Sequence, residues 1–274
     1  MAFSYRDFAS DVPMPTDHHT AQALWCFYQD PYVYYKTYVE KELQPQLPTK
    51  NTAEMLYKYQ LLCGIQEFTE KFNFDAPINP STKKPYGEDT QKYVEWAKSV
   101  TEEGKMPIHP QNLNIAHDTY LQTVAQTHNG FFPRLKDVLE PKGFVGVQET
   151  ATVDASRCYA HIDYISTGGD VYKIVLVHSL DKFNDVDYAS AIAFNAAYDY
   201  VVLSNSENGD KISPTIRVIA AEYISPFRVS ILRVQEQLWT RRVMSGLYQL
   251  NRCFNGTDNS SWKSKYHSDT FYEI

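Results

Sequence analysis

Two carboxylates on consecutive predicted strands are the side chains in this sequence best suited to chemistry. Glu149 lies in a β-favouring run over residues 145–153, and Asp163 lies in the next such run, over residues 158–165. Carboxylate oxygens are the hard ligands that Mg²⁺ prefers, so two strands that bring these side chains together would form part of a magnesium site. The alternative for both residues is structural, because most strand carboxylates only satisfy neighbouring polar groups.

The third predicted strand, residues 171–177, does not complete such a site. A magnesium site that acts on a phosphate would need a further acid to hold the metal and a lysine that stabilises charge on the attacked phosphate. The chain instead has Leu176 and His178 at the end of this strand. A histidine is able to transfer a proton, although one that ends an apolar strand is more often a hydrogen-bonded core residue. The sequence therefore predicts a site with two of its supports missing.

The residues around Asp163 and the third strand resemble a known family. Residues 161–164, His-Ile-Asp-Tyr, resemble the Arg-Ile-Asp-Tyr strand of PD-(D/E)XK nuclease-like proteins of the phage RecE or exonuclease VIII type. Residues 174–179 resemble that family's Ile-Val-Asp-Leu-Lys-Thr strand, with Leu176 in place of the metal-binding Asp and His178 in place of the Lys. Similarity to other segments of the family extends over most of the chain, at residues 78–87, 220–229 and 262–266.

The resemblance implies a fold and a chemistry. The implied fold is α/β, with a restriction-endonuclease-like mixed central sheet flanked by helices and a mainly helical N-terminal part. The resemblance implies double-stranded DNA as the substrate class, Mg²⁺ as the cofactor of an active protein, and Asp163 and Glu149 as vestigial metal ligands. His178 would occupy the degenerate position of the catalytic lysine. Rings of several subunits occur in the family, so a homo-oligomer is compatible with the resemblance.

The length of the chain suits one continuous domain with two parts. Residues 1–142 are predicted to form a helical N-terminal part packed on the core, and residues 143–274 to form the α/β core with a basic C-terminal helix. Helices are predicted at residues 20–28, 52–74, 89–101, 111–129, 186–198 and 230–250. Two further strands are predicted at residues 215–222 and 227–232.

The formal net charge of -7 hides an uneven distribution of charged side chains. Residues 1–210 carry 17 basic and 28 acidic side chains, whereas residues 211–274 carry 9 basic and 5 acidic ones. A positive cluster is what a phosphate backbone requires, so the C-terminal part is the predicted DNA-binding surface. Its candidate residues are Arg228, Arg233, Arg241, Arg242, Lys263 and Lys265. A solvated amphipathic helix explains the same residues at least as well.

Several other classes of protein are disfavoured by the sequence. The chain has no apolar run long enough to span a membrane and no signal-like start, which predicts a soluble protein in the cytoplasm of a bacterial host or phage-infected cell. Its four cysteines form no Cys-x-x-Cys pair, so free thiols are expected. The sequence also lacks a glycine-rich phosphate loop and a Gly-x-Ser-x-Gly elbow.

Three functional interpretations remain open. The first is a phage-type recombination exonuclease fold that has lost its chemistry and binds DNA, a recombination partner or a host defence protein. The second is an active Mg²⁺-dependent double-stranded DNA exonuclease, in which Asp170 or Asp181 replaces the missing ligand. The third is an acidic inhibitor of a nucleic-acid-binding host defence enzyme. The first is favoured, because losing even one preorganised electrostatic contact costs on the order of a hundredfold in rate.

Overall fold

The computed structural model describes residues 18–43, 52–63, 70–125, 144–224, 228–256 and Trp262. Within this part of the chain, five strands form one mixed sheet and two very short strands form another. The strands are β1 (Phe72–Asn73), β2 (Met106–Pro107), β3 (Phe144–Val153), β4 (Ser156–Ile165), β5 (Val171–Val177), β6 (Ile216–Glu222) and β7 (Val229–Arg233). The α-helices are α1 (Ala21–Gln29), α2 (Pro31–Tyr34), α3 (Thr52–Cys63), α4 (Gln91–Glu102), α5 (Pro110–Ala125), α6 (Val186–Ser204) and α7 (Glu236–Phe254).

The central sheet has the strand order β3-β4-β5-β6-β7. The first three strands follow one another through short turns and are antiparallel, whereas β5 and β6 run parallel. A parallel neighbour requires a long crossover, and α6 lies in that crossover. The last strand, β7, returns antiparallel to β6. The predicted fold class, a mixed central sheet flanked by helices with a helical N-terminal region, is confirmed.

Left-handed residues make the two turns that order β3, β4 and β5. The β3–β4 hairpin turns at Asp154 and Ala155, whose φ angles are 45° and 63°. Two consecutive positive φ angles are typical of a type I′ turn, which usually contains glycine or asparagine. The turn is supported from α7, since the Asn251 side chain donates to the carbonyl of Asp154 and accepts from Ser156 Oγ at 2.9 Å. The predicted glycine turn between β4 and β5 is confirmed, with Gly169 at a φ of 85°.

Helices bury both faces of the central sheet. On one face α1, α6 and α7 form the larger apolar core, in which Phe27, Phe194 and Leu247 are buried. On the other face α3 and α5 form a second core, with Leu56 and Tyr57 fully buried. Burial of a large apolar side chain contributes roughly 1.5–3 kcal/mol. The N-terminal helices therefore contribute to both cores, because α1 lies on one face and α3 on the other.

The prediction of one helix over residues 52–74 is wrong in its last part. The described part of α3 extends to Cys63 and residues 70 and 71 are helical, but Phe72–Asn73 form the short strand β1, which pairs in parallel with β2. Phe72 in β1 is buried, with its ring edge-on to Tyr59 at 5.2 Å. Apolar spacing alone did not separate a helix from a buried strand at this point. The basic helix predicted at residues 230–250 is observed later in the chain, as α7, because β7 occupies its predicted start.

An aromatic cluster joins the beginning and the end of the described chain. Trp262 stacks on Tyr34 at 6.0 Å and meets Phe27 and Phe254 edge-on at 6.2 and 5.2 Å. Tyr34 is buried, so its ring belongs to the core. Edge-to-face and stacked pairs add about 0.5–1.5 kcal/mol each to the burial of the rings.

The predictions about the cysteines and about membrane-spanning segments can be compared with the described residues. Cys26, Cys158 and Cys253 are free thiols, as expected, and the side chain of Cys63 lies outside the description. Among the helices that the structure describes, none combines the length and apolar character needed to cross a membrane.

Candidate functional site

The candidate site lies where strands β4 and β5 separate. The two strands pair only through Tyr164 with Tyr172 and Ile165 with Val171. Further along β5, the N–H groups of the strand turn towards side chains instead of a neighbouring backbone. Buried backbone N–H groups need acceptors, so the split must be filled by polar side chains.

Two carboxylates accept the hydrogen bonds of β5 within the split. Asp163 Oδ2, from β4, accepts from the N–H of Ile174 at 2.7 Å. Glu54 Oε2, from α3, accepts from the N–H of Leu176 at 2.9 Å. Each carboxylate thus accepts a hydrogen bond that a neighbouring strand carbonyl would otherwise accept. Its second oxygen is available for another contact.

The second oxygens of both carboxylates meet at one ammonium group. Lys58 Nζ lies 3.1 Å from Asp163 Oδ1 and 3.1 Å from Glu54 Oε1. The Lys58 side chain is 12% exposed and that of Asp163 is 4% exposed. Glu54 and Lys58 are one helical turn apart on α3, a spacing that places both side chains on the same face of the helix.

A second buried ion pair continues from this site to α6. Lys173 Nζ, from β5, lies 2.9 Å from Asp199 Oδ2, and Asp199 is buried within α6. Lys173 precedes Ile174, so its side chain leaves β5 on the opposite face of the strand. We refer to the five side chains Glu54, Lys58, Asp163, Lys173 and Asp199 as the ion-pair cluster.

Opposite charges keep Lys58, Asp163 and Lys173 ionised despite their burial. Burial alone would raise the pKa of Asp163, but Lys58 and then Lys173 outweigh it and hold that pKa below its ordinary value. Burial alone would lower the pKa of Lys58, but Asp163 and then Glu54 raise it. Burial is likewise outweighed at Lys173, whose pKa is raised chiefly by Asp199. The centre of the cluster is therefore charged at neutral pH.

Asp199 and His161 both have shifted pKa values that lie between about 4 and 6. Burial raises the pKa of Asp199 to about 6, although Lys173 acts in the other direction. Burial lowers the pKa of His161 to about 4, and the charge of Asp163 only partly offsets this effect. Compared with the unfolded chain, the folded protein thus protonates Asp199 more readily and His161 less readily.

These two groups should give opposite dependences of stability on pH. The contribution of Asp199 is complete below its unfolded pKa of 3.8 and is lost as pH rises through about 6. The contribution of His161 is complete above 6.5 and is lost as pH falls through about 4. From pH 4 to 6, the stability of His161→Gln relative to the native protein should fall by about 1–2 kcal/mol, and that of Asp199→Asn should rise by a similar amount. Urea unfolding across this range measures both, and parallel curves for all three proteins would contradict the assignment.

The same architecture occurs in the "Putative exonuclease" from Eubacterium rectale. Its crystal structure aligns with a TM-score of 0.55, over 98% of this chain and 92% of that one. This chain therefore shares the fold of that protein. The two sequences are 12% identical, so the likeness concerns the fold and leaves the reaction open. No protein-family model matches the chain, and no curated protein matches it.

Within this fold, the two predicted metal ligands lie apart. Asp163 is at the centre of the ion-pair cluster. Glu149 pairs with Ala160 across β3 and β4, three residues along β4 from Asp163 or about 10 Å. Its Oε1 accepts from Asn208 Nδ2 at 2.8 Å, in the connection after α6. The predicted convergence of Glu149 and Asp163 is therefore not found.

The side chains at the two substituted positions, at and just after the end of β5, have no polar role in the cluster. The side chain of Leu176 is buried in the apolar core between the sheet and α3. His178 is exposed, and its ring meets Tyr223 edge-on at 5.6 Å. The two proposed replacement ligands are engaged by arginines, since Asp170 lies 3.4 Å from Arg217 and Asp181 lies 3.8 Å from an arginine beyond β6.

The described residues do not fit the magnesium ion that the resemblance implies. Within this part of the chain, no group of three or more His, Cys, Asp or Glu side chains is arranged to hold a metal ion. The two carboxylates that do converge, Glu54 and Asp163, are directed at the Lys58 ammonium. Position and charge thus both favour an organic cation there.

The predicted DNA-binding residues do not form one continuous group. Arg228 is held by Glu222, with Nη2 to Oε1 at 2.8 Å and Nε to Oε2 at 3.0 Å. Arg233 and Arg241 are exposed and line a surface cavity of about 600 Å³ at the start of α7. Arg242 lies over the ring of Trp239 at 4.4 Å. Lys263 and Lys265 lie outside the described residues.

Proposed function

We propose that this protein is a non-catalytic relative of the phage-type PD-(D/E)XK recombination exonucleases, which binds double-stranded DNA without cleaving it. The observation that carries the proposal is the ion-pair cluster in the split between β4 and β5. Asp163, the acid that matches the family motif, bonds to Lys58 and to the Ile174 N–H, which occupies both of its oxygens.

The third strand supports the absence of catalysis. A nuclease of this kind needs an acid and a lysine on β5, but the chain places a buried leucine and an exposed histidine there. Loss of one preorganised electrostatic contact costs about a hundredfold or more in rate, so the loss of both would reduce the rate by roughly four orders of magnitude. A protein that keeps this fold but has lost the cleavage rate would act by binding its partner.

Basic side chains beside α7 support DNA as the bound partner. Arg217 and Arg233 are directly opposite each other across β6 and β7. Asp170 already pairs with Arg217 at 3.4 Å, so a phosphate backbone near these two side chains would be met by the exposed Arg233. Arg233 also shares the surface cavity with Arg241. We assign the DNA contact to Arg233, Arg241 and Arg242, and assign a structural role to Arg228, because Glu222 already satisfies it.

Duplex binding in EDTA tests this proposal. We expect the native protein to bind a labelled duplex of about 30 base pairs without a divalent metal, with an affinity that falls steeply as salt rises. The variant Arg233→Ala, Arg241→Ala, Arg242→Ala should bind at least tenfold more weakly. The matched control Lys84→Ala, Lys92→Ala, Lys98→Ala removes the same charge from exposed sites elsewhere and should bind like the native protein. Fluorescence anisotropy gives the affinities.

Other outcomes identify the other interpretations. Release of nucleotides from linear DNA in Mg²⁺ or Mn²⁺, abolished by Asp163→Asn, would show an active exonuclease and overturn the proposal. If the arginine and lysine triple variants weaken duplex binding equally, the assignment of the DNA contact to Arg233, Arg241 and Arg242 is wrong. Lack of any duplex affinity at low salt, together with tight binding of a basic nucleic-acid-binding enzyme, would indicate the acidic inhibitor. The substitutions Leu176→Asp and His178→Lys test whether catalysis can be restored.

A further inference from the structure

Helix α3 places a carboxylate and an ammonium group at the same point of the split between β4 and β5. Glu54 and Lys58 lie one turn apart, and both reach the β4–β5 opening from the same side. Asp163 reaches it from β4. Asp163 lies more than a hundred residues from Glu54 and Lys58 in the chain, so the tertiary fold brings the three groups together.

Backbone hydrogen bonds fix the direction of both carboxylates. The N–H of Ile174 holds Asp163 Oδ2, and the N–H of Leu176 holds Glu54 Oε2. With one oxygen of each carboxylate fixed on β5, the other oxygens point to a shared position. Lys58 Nζ occupies that position, at 3.1 Å from each oxygen.

A cation at this position is required by charge. Two carboxylates in a mostly buried site repel each other unless a positive group separates them. An ammonium group is a compact point charge and can lie between two oxygens. A divalent metal ion held by two carboxylates, with water molecules as its remaining ligands, has the same requirement for hard oxygen atoms. The shared position therefore suits either cation, and the two exclude each other.

We propose that the Lys58 ammonium is a built-in cation that takes the place of a divalent metal ion between Glu54 and Asp163. The inference goes beyond the proposed function, because it holds whether or not the protein binds DNA. It predicts that the native protein binds no divalent metal at this point. It also predicts that removal of the Lys58 side chain opens a divalent metal site, because β5 still orients both carboxylates.

Metal titration of position-58 variants tests the inference without any nuclease assay. We expect Lys58→Ala to bind one Mn²⁺ at least tenfold more tightly than the native protein, as measured by electron paramagnetic resonance of free Mn²⁺. The double variant Lys58→Ala, Asp163→Asn should lose that binding, because one carboxylate ligand is gone. Lys98→Ala is the matched control, since it removes an exposed lysine one turn from Glu102 and should leave Mn²⁺ binding unchanged.

The folding of the variant provides a second readout. If Lys58→Ala is unfolded in EDTA, the inference requires Mn²⁺ to restore its circular dichroism spectrum, and the Asp163→Asn double variant to remain unfolded. A folded Lys58→Ala protein that binds no Mn²⁺ would overturn the inference. So would an unfolded one that Mn²⁺ does not restore, or a native protein whose Mn²⁺ binding is lost in Asp163→Asn. DNA binding by the native protein does not enter any of these outcomes.

Discussion

Replacing Asp163 with alanine should lower the free energy of unfolding by about 3–5 kcal/mol at pH 7. The substitution leaves the ammonium groups of Lys58 and Lys173 near each other without the carboxylate between them. It also leaves the N–H of Ile174 without the oxygen that accepts its hydrogen bond at 2.7 Å. Lys58 keeps only one of its two carboxylate partners, Glu54. A broken buried ion-pair network and an unsatisfied buried donor are among the largest sources of mutational destabilisation. Urea unfolding followed by circular dichroism measures the change.

Two comparisons separate this effect from a general loss of charge. Asp170→Ala removes a carboxylate that is paired with Arg217 at 3.4 Å and is 24% exposed, and it should cost less than about 1 kcal/mol. The double variant Asp163→Leu, Lys58→Met removes one buried charge of each sign and should be more stable than Asp163→Ala alone. If the free energy of unfolding of Asp163→Ala lies within 1 kcal/mol of the native value, the ion-pair cluster does not hold β4, β5 and α3 together.

Replacing Glu222 with glutamine should lower the free energy of unfolding by about 2–4 kcal/mol at pH 7. Glu222 is 1% exposed at the end of β6 and accepts from the N–H of Leu180 at 2.7 Å. It also accepts from the N–H and the guanidinium of Arg228, at 3.0 and 2.8 Å. One carboxylate thus joins the segment after β5 to the segment before β7. A glutamine amide has one acceptor oxygen and cannot replace all three contacts.

The pH dependence of this variant provides an internal check. The hydrogen bond from Arg228 is the main reason that the pKa of Glu222 is lowered to about 2, and burial opposes it. The stability that comes from the lowered pKa is therefore complete above 4.5 and is lost as pH falls through about 2. The difference in the free energy of unfolding between the native protein and Glu222→Gln should be smaller at pH 2.5 than at pH 7. Asp181→Ala is the control, because Asp181 is 77% exposed at 3.8 Å from Arg228 and should change stability by less than about 0.5 kcal/mol.

Sequence patterns predict the local parts of this fold well. The strands around Asp163 and the helices over Gln91–Glu102 and Val186–Ser204 have clear apolar patterns, and the observed elements lie within a few residues of the predicted ones, except that Val186–Ser204 extends six residues beyond its predicted end. The type I′ turn at Asp154 and Ala155 has no glycine or asparagine, so turn composition did not identify it. The strand at Phe72 was assigned to a helix because its partner, β2, lies more than thirty residues away in sequence.

The candidate site is predicted only in its centre. Asp163 stands out as a carboxylate between two apolar residues, and it is the middle of the ion-pair cluster. Its partner Lys58 is 105 residues away in sequence, and Glu54 contacts a strand 122 residues away. Asp199, within a long apolar run of α6, was a detectable signal, because an acid in such a run needs a buried partner. The prediction of Glu149 rests on its strand and on the family resemblance, and neither determines where a side chain meets its partner.

The aromatic cluster around Trp262 has a consequence for how the protein is made. The rings of Phe27 and Tyr34 leave the ribosome roughly 230 residues before the indole that covers them. At typical rates of synthesis this interval is on the order of ten seconds or more. During that time the rings of Phe27 and Tyr34 lack the indole of Trp262 that packs on them. The N-terminal helices can complete their packing only after nearly the whole chain has been translated.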